Sequence, residues 1–287
     1  MIDGLALDYA GARAAARLAW RPSDRLWQRL HGARGLRALL DAARTEPVGN
    51  YLSGLPAQAR CGDIDVAFRA QWRTRVAELA GWAPARWRAA IQWCAHLIDA
   101  GAVAHLWTRP PLPWMRDDPV LARYAPAAGE AAARRVLLAT GPLAPLARAL
   151  LAKAAAEGET GAVARHSPPA PEPLPVVLEA WLAHWRSLWP PASATAEAGA
   201  QRDLQALAGE ALAHRARFGR LAPADTEAAR TALADRALRR LRADRVQPAA
   251  LFAYLLVLAL DLERLRAECL LQAFDATAAA RERLAAP

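Results

Sequence analysis

The chain has 287 residues, 54% of them hydrophobic and 23% charged, which excludes disorder over most of its length and leaves room for a sizeable core. Its net charge of +9 rests on 36 arginines and a single lysine, Lys153. Cys61, Cys94 and Cys269 form no CxxC pair, which speaks against a disulfide scaffold or structural zinc and for a reducing compartment.

Alanine, leucine, arginine and glutamate dominate, and β-branched alternating runs are absent, so the pattern predicts an all-α protein. In the first helix Leu5, Tyr9, Ala12, Ala16 and Ala19 can share a face, with Arg13 and Arg17 on another stripe. Pro22-Ser23-Asp24 breaks that helix and caps the next, which aligns Leu26 and Leu30 with Trp27 beside them. Gly35 opens a short helix carrying Leu36, Leu39 and Leu40, and Thr45-Glu46-Pro47 ends it. A longer helix is expected over 63–79, burying Val66, Phe68, Trp72, Val76 and Leu79. Gly81 stops it, and Pro84 suits the first turn of a helix over 84–107 with a kink at Gly101.

The stretch 108–119, TRPPLPWMRDDP, holds too many prolines for a helix interior. Helices resume over 127–139 and 142–157, and 165–175 reads as an exposed loop. Trp181, Trp185 and Trp189 recur at i, i+4, i+8 before Pro190-Pro191. Three helices follow over 196–218, 223–244 and 248–274, with Asp275 capping a terminal one. The expected architecture is one irregular all-helical domain over 1–287, an array of lobes at 1–109, 110–200 and 201–287. The longest apolar run, 249–260, ends at Asp261, short of the ~18–20 residues a membrane span needs. The N-terminus does not read as a signal peptide, which predicts a cytoplasmic location.

No motif carries catalysis. The six histidines form no HExxH and no metal-spaced set, and phosphate-loop, dinucleotide and nucleophile-elbow patterns are missing, so neither an enzyme nor a cofactor is expected. Cys94 and His96 point to different faces of their predicted helix, which leaves Cys94 a structural role. Asp63, Asp65, Asp117 and Asp118 stand near loop–helix junctions and read as caps. The eleven tryptophans lie mostly in apolar helical stripes, where core packing and cation–π contact with arginine account for them. The densest basic cluster, Arg236, Arg239, Arg240, Arg242 and Arg245, reads as a solvated helix face or a surface for an acidic partner.

Several stretches resemble the C subunit of archaeal and bacterial V-type ATPases, called subunit d in the vacuolar enzymes. Near the N-terminus these are Tyr9, Ala10, Ala12, Arg13, Arg17 and Leu18, then Leu36, Leu39, Leu40 and Thr45, then Tyr51 and Leu52, with Pro47 where a tyrosine is usual. Asp99 and Arg109 fit the ends of a further motif whose asparagine is replaced by Ala102. Near the C-terminus they are Pro248, Leu251, Tyr254, Leu255, Leu256, Asp261, Leu262, Leu265 and Arg266, with departures at Leu258, Ala259 and Arg264. The resemblance implies a funnel of helical lobes that sits on the proteolipid ring, receives the central shaft and passes torque without binding nucleotide. It implies proton or sodium transport by the complex and a peripheral place on the cytoplasmic face.

Leu251, Tyr254, Leu255, Leu258, Leu262 and Leu265 recur at spacings of three and four, and Phe252, Leu256 and Leu260 make the first half of the last helix apolar all round. That half is expected at the centre of the fold. Charge returns at Asp261, Glu263, Arg264, Arg266 and Glu268. Asp261, Arg264 and Arg266, with Arg239 and Arg240, are therefore the candidate partner-binding residues. The competing reading is an Arg/Trp-rich helical adaptor or nucleic-acid-binding protein.

Overall fold

In the computed structural model, residues 2–127, 131–160, 173–191, 195–218, 222–243 and 245–285 are described. Their regular structure is helical throughout, with no strand among them. The α-helices are α1 (Ile2–Arg17), α2 (Asp24–His31), α3 (Leu36–Arg44), α4 (Cys61–Trp82), α5 (Ala85–Trp93), α6 (Ala100–Thr108), α7 (Ala131–Thr140), α8 (Ala144–Thr160), α9 (Pro173–Ser187), α10 (Thr195–Phe218), α11 (Pro223–Ala243) and α12 (Pro248–Ala285). Short 3₁₀ turns fill several of the gaps.

The chain packs as two units. Residues 1–91 and 190–287 form one, and 92–189 form a second, inserted unit. These do not coincide with lobes at 1–109, 110–200 and 201–287, because the first and last thirds share a core. The charge is divided unevenly: the first unit carries 28 basic against 20 acidic residues, the inserted unit 9 against 8.

The first unit is built around α12, which packs against α1, α3, α4, α10 and α11. Leu251, Tyr254, Leu255, Leu258, Leu262 and Leu265 are all buried, as are Phe252, Val257 and Leu260. Each such side chain contributes about 1.5–3 kcal/mol by leaving water. The first half of α12 is thus the centre of this core. The helix then runs without a break through residue 275 to Ala285, so Asp275 does not start a separate helix.

Local signals place the surrounding helices. The Ser23 hydroxyl accepts a hydrogen bond from the Leu26 amide and caps α2. Gly35, at φ +92°, enters α3 through a conformation that disfavours side chains. Asp63 accepts from the Arg60 amide at 2.8 Å and caps α4, which starts earlier and ends later than expected. Asp65 does not cap; it pairs with Arg266.

The orientation of α1 differs from the expected one. Its buried face is Leu7, Ala10 and Ala14, whereas Leu5, Tyr9, Ala12, Ala16 and Ala19 face outward. Gly11 permits this: a Cβ there would stand 2.4 Å from the Arg245 carbonyl oxygen. Backbone approaches backbone, and only glycine fits.

In the inserted unit, α6 packs on α7, α8 and α9. The single helix expected over 84–107 is instead interrupted by a 3₁₀ segment, Cys94–Asp99, rather than kinked at Gly101. Fully buried Asp99 holds the His96 ring nitrogen at 3.0 Å, an i, i+3 pairing that the tighter turn brings into line. Asp118 accepts from the Val120 and Leu121 amides, as a capping acid should. The Trp93 indole N–H donates to the Trp181 carbonyl, and Trp181, Trp185 and Trp189 contact one another in series. Most of the loop expected at 165–175 lies outside the described residues; α9 already begins at Pro173.

Candidate functional site: an arginine–aromatic ladder and a buried ion pair

Tyr9, Arg13 and Arg17 stand at i, i+4, i+8 on α1, and Trp20 follows in the next turn. On α4, Gln71, Arg75, Glu78 and Trp82 recur at spacings of four, three and four. Since α1 packs on α4, the two stripes interleave. The Arg75 guanidinium lies 5.6 Å from the Tyr51 ring and 5.0 Å from Trp20. Arg17 lies 4.1 Å from Trp20 and 5.8 Å from Trp82, and Arg13 lies 4.8 Å from Trp82 and 5.7 Å from Tyr9. Cation and ring alternate from buried Tyr51 and Arg75, through half-buried Trp20, Arg17 and Trp82, to exposed Arg13 and Tyr9. Each such contact is worth about 0.5–2 kcal/mol, more toward the dry end.

One carboxylate serves the ladder. Glu78 accepts from Arg75 at 2.8 Å and lies 3.6 Å from Arg17. Gln71 gives Arg75 a further acceptor.

At the inner end, Arg21 reaches 240 residues along the chain to Asp261. Its Nε and Nη2 donate to the two carboxylate oxygens at 2.6 and 3.1 Å, a bidentate pair. The Asp261 side chain is only 8% exposed and that of Arg21 28%. Burial pushes the Asp261 carboxyl upward against the hydrogen bonds and charge of Arg21. Burial also pulls on Arg21, but its bonds to Asp261 and the attraction of that carboxylate outweigh it, and the guanidinium is held upward. Burial raises the Tyr51 phenol to about 12 despite Arg75, and raises Tyr254 as well.

The five candidate partner-binding residues have separate fates. Asp261 is buried in the ion pair just described and is not a surface charge. Arg264 lies 4.0 Å over the Trp27 ring and pairs with Glu227 at 2.5 Å; burial lowers its pKa against the pull of Glu227. Arg266 pairs with Asp65, and Arg240 shares Glu210 with Arg236. Arg239 is exposed on α11. The first four hold helices together within the chain; Arg239 alone of the five faces solvent without a role in that packing.

Tyr9, Arg13, Arg17, Tyr51, Tyr254 and Asp261 stand toward the two ends of the sequence, and the fold brings them into one unit. Arg21, Arg75 and Trp82 were missed. The i, i+3 and i+7 spacing of Arg75, Glu78 and Trp82 is a legible signal on α4, but the partner of Asp261 is not, because nothing local announces a pairing across 240 residues.

The arrangement contains neither a nucleophile–base pair nor a ligand set. Among the described residues no group of three His, Cys, Asp or Glu side chains could hold a metal ion. No two cysteines are joined in a disulfide, and burial pushes the thiols of Cys94 and Cys269 upward. An open cleft of 640 Å³ beside α3 is lined by Arg37, Asp41, Arg44 and Ser53, with Arg44 and Asp41 3.1 Å apart. No helix among the described residues is long and apolar enough to cross a membrane. No family model, curated protein or solved structure matches the chain.

Proposed function

We propose that the chain is a non-catalytic central-stalk subunit of a V- or A-type ATPase, seated between the rotating shaft and the proteolipid ring on the cytoplasmic face of the membrane. The observation that supports this reading is that the terminal residues behind the resemblance share one unit, while Asp99 and Arg109 lie in the inserted one. Tyr9, Arg13, Arg17 and Tyr51 from one end meet Tyr254 and Asp261 from the other in a single unit, through the ladder and the Arg21–Asp261 pair.

Mechanically, the reading suits α12. Its 38 residues extend about 57 Å at 1.5 Å per residue, and five helices pack along it. A torque-passing part needs stiffness of that kind, with charged surfaces that set orientation on its partners. The alternative, stacking of nucleic-acid bases on tryptophan, is disfavoured by burial: Trp27, Trp72, Trp87, Trp93, Trp107, Trp181 and Trp185 are all in cores.

Affinity purification of the tagged chain from detergent-solubilised membranes of its own cells tests the reading. Shaft subunits and proteolipid should be recovered in stoichiometric amounts. Recovery of the chain without them, or with nucleic acid whose removal releases everything else, overturns it.

A further inference from the structure

The outer end of the ladder has more cation than it uses. Arg13, Arg17 and Arg75 together face one carboxylate within ion-pair reach among the described residues, Glu78, and Arg75 holds it more closely than Arg17 does. Arg13 lies over the Tyr9 and Trp82 rings, reaches no carboxylate among the described residues, and is exposed. An arginine stacked face-on to an aromatic ring keeps its planar fork of N–H donors free at the edge, pre-organised for a carboxylate. One turn further out on the same stripe stand Tyr9 and Leu5, 52% and 70% exposed. The stripe Leu5, Tyr9, Arg13, Arg17 therefore runs from apolar to cationic along a single helix face.

We infer that this stripe is a docking surface for an acidic amphipathic helix of a partner protein. Apolar side chains of that helix would cover Leu5 and Tyr9, and a carboxylate one or two turns on would take the in-plane donors of Arg13 and Arg17. Charge complementarity decides for this occupant: the surplus lies on the stripe itself, within a unit whose basic residues outnumber its acidic ones by 28 to 20. The aromatic backing favours the planar carboxylate, since a guanidinium lying over a ring can still offer its N–H donors in pairs at its edge. A phosphate-rich polymer or an anionic bilayer would instead draw on arginines across the whole surface. The inference stands apart from the rotary reading, because it concerns the chemistry of one helix face in the isolated chain.

The test is a fluorescence titration of the full chain with a designed helical 20-residue peptide bearing a leucine stripe that leads into two glutamates four residues apart. The same peptide with glutamine in their place is the control. Trp20 and Trp82 report from within the ladder. The glutamate peptide should bind at least tenfold more tightly than the glutamine peptide, with affinity falling as salt rises. Arg13→Gln should remove most of that difference, Arg13→Lys should restore only part of it, and Arg239→Gln on α11 should leave it intact. Helix content and melting of each variant, read by circular dichroism, separate lost binding from lost fold. Equal affinity for both peptides, an unchanged difference in a folded Arg13→Gln chain, or an equal loss in Arg239→Gln overturns the inference. So does competition in which oligothymidylate or phosphatidylserine vesicles displace the peptide from wild type and from Arg13→Gln alike.

Discussion

Replacing Arg21 by methionine should destabilise the first unit more than replacing Asp261 by asparagine. The asymmetry follows from exposure: the carboxylate left behind is 8% exposed, whereas the guanidinium left behind in the other variant keeps 28%. A buried charge stripped of its partner costs about 3–5 kcal/mol. An arginine that can still reach water loses only its charge-assisted hydrogen bonds, about 1.5–3 kcal/mol. At about 2–4 °C per kcal/mol for a unit of this size, Arg21→Met should lower Tm by roughly 6–20 °C. The deficit should also depend on pH. Burial already holds the Asp261 pKa above its ordinary value, and loss of Arg21 removes what opposed that. A carboxyl with a raised folded pKa favours the fold while protonated, and that contribution is lost as pH rises through the raised value. The Arg21→Met deficit should therefore be smaller at about pH 5 than at about pH 8, with no such trend for Asp261→Asn. The double variant Arg21→Met, Asp261→Leu removes both charges and should recover to within about 1 kcal/mol of wild type. Denaturant unfolding followed by circular dichroism reads all four proteins. A cost below about 1 kcal/mol for Arg21→Met, or a double variant no more stable than Arg21→Met alone, would refute the pair's role in joining the two ends of the chain.

Leu255→Ala empties a site 3% exposed at the centre of α12 and should cost about 2–5 kcal/mol in denaturant unfolding; a cost below about 1 kcal/mol means the helix is not central. Gly11→Ala drives a methyl group into the Arg245 carbonyl, where backbone on both sides cannot yield cheaply, and should cost about 1–3 kcal/mol with α1 shifted; an unchanged melt contradicts the close approach. Tyr51 and Tyr124 are held up to about 12 by burial, so their neutral forms support the fold below about pH 10 and that support is lost as pH climbs toward 12. Absorbance at the tyrosinate band should rise in a late step that coincides with loss of helix, and a single early step for all four tyrosines would contradict the burial.

Helix existence was legible because the periodicity of apolar residues and the breakers Pro22, Gly35 and Pro84 act locally. The central place of α12 was legible for the same reason: Leu251 to Leu260 are apolar on every side, and such a helix has nowhere to go but a core. The face of α1 was not. Leu5 and Tyr9 share a stripe, but Leu7, Ala10 and Ala14 do too, and only the fit of Gly11 against Arg245 selects the second. The break at Cys94 was hidden because it depends on a buried pairing of His96 with Asp99 rather than on proline or glycine. The intrachain partners of the α12 charges were not legible, because a sequence shows that charge returns, not that Arg21, Glu227 and Asp65 wait to receive it. The inserted unit is not legible in the sequence, since Pro190-Pro191 marks a boundary but Gln92, inside the last turn of α5, carries no breaker.

The functional claim is met most directly by ATP-driven ion transport in membrane vesicles from cells that lack this chain. A central-stalk coupling subunit predicts that ATP hydrolysis by the catalytic head continues while ion transport is lost, and that the purified chain restores transport when added back. Transport that stays coupled to hydrolysis in its absence would contradict the account.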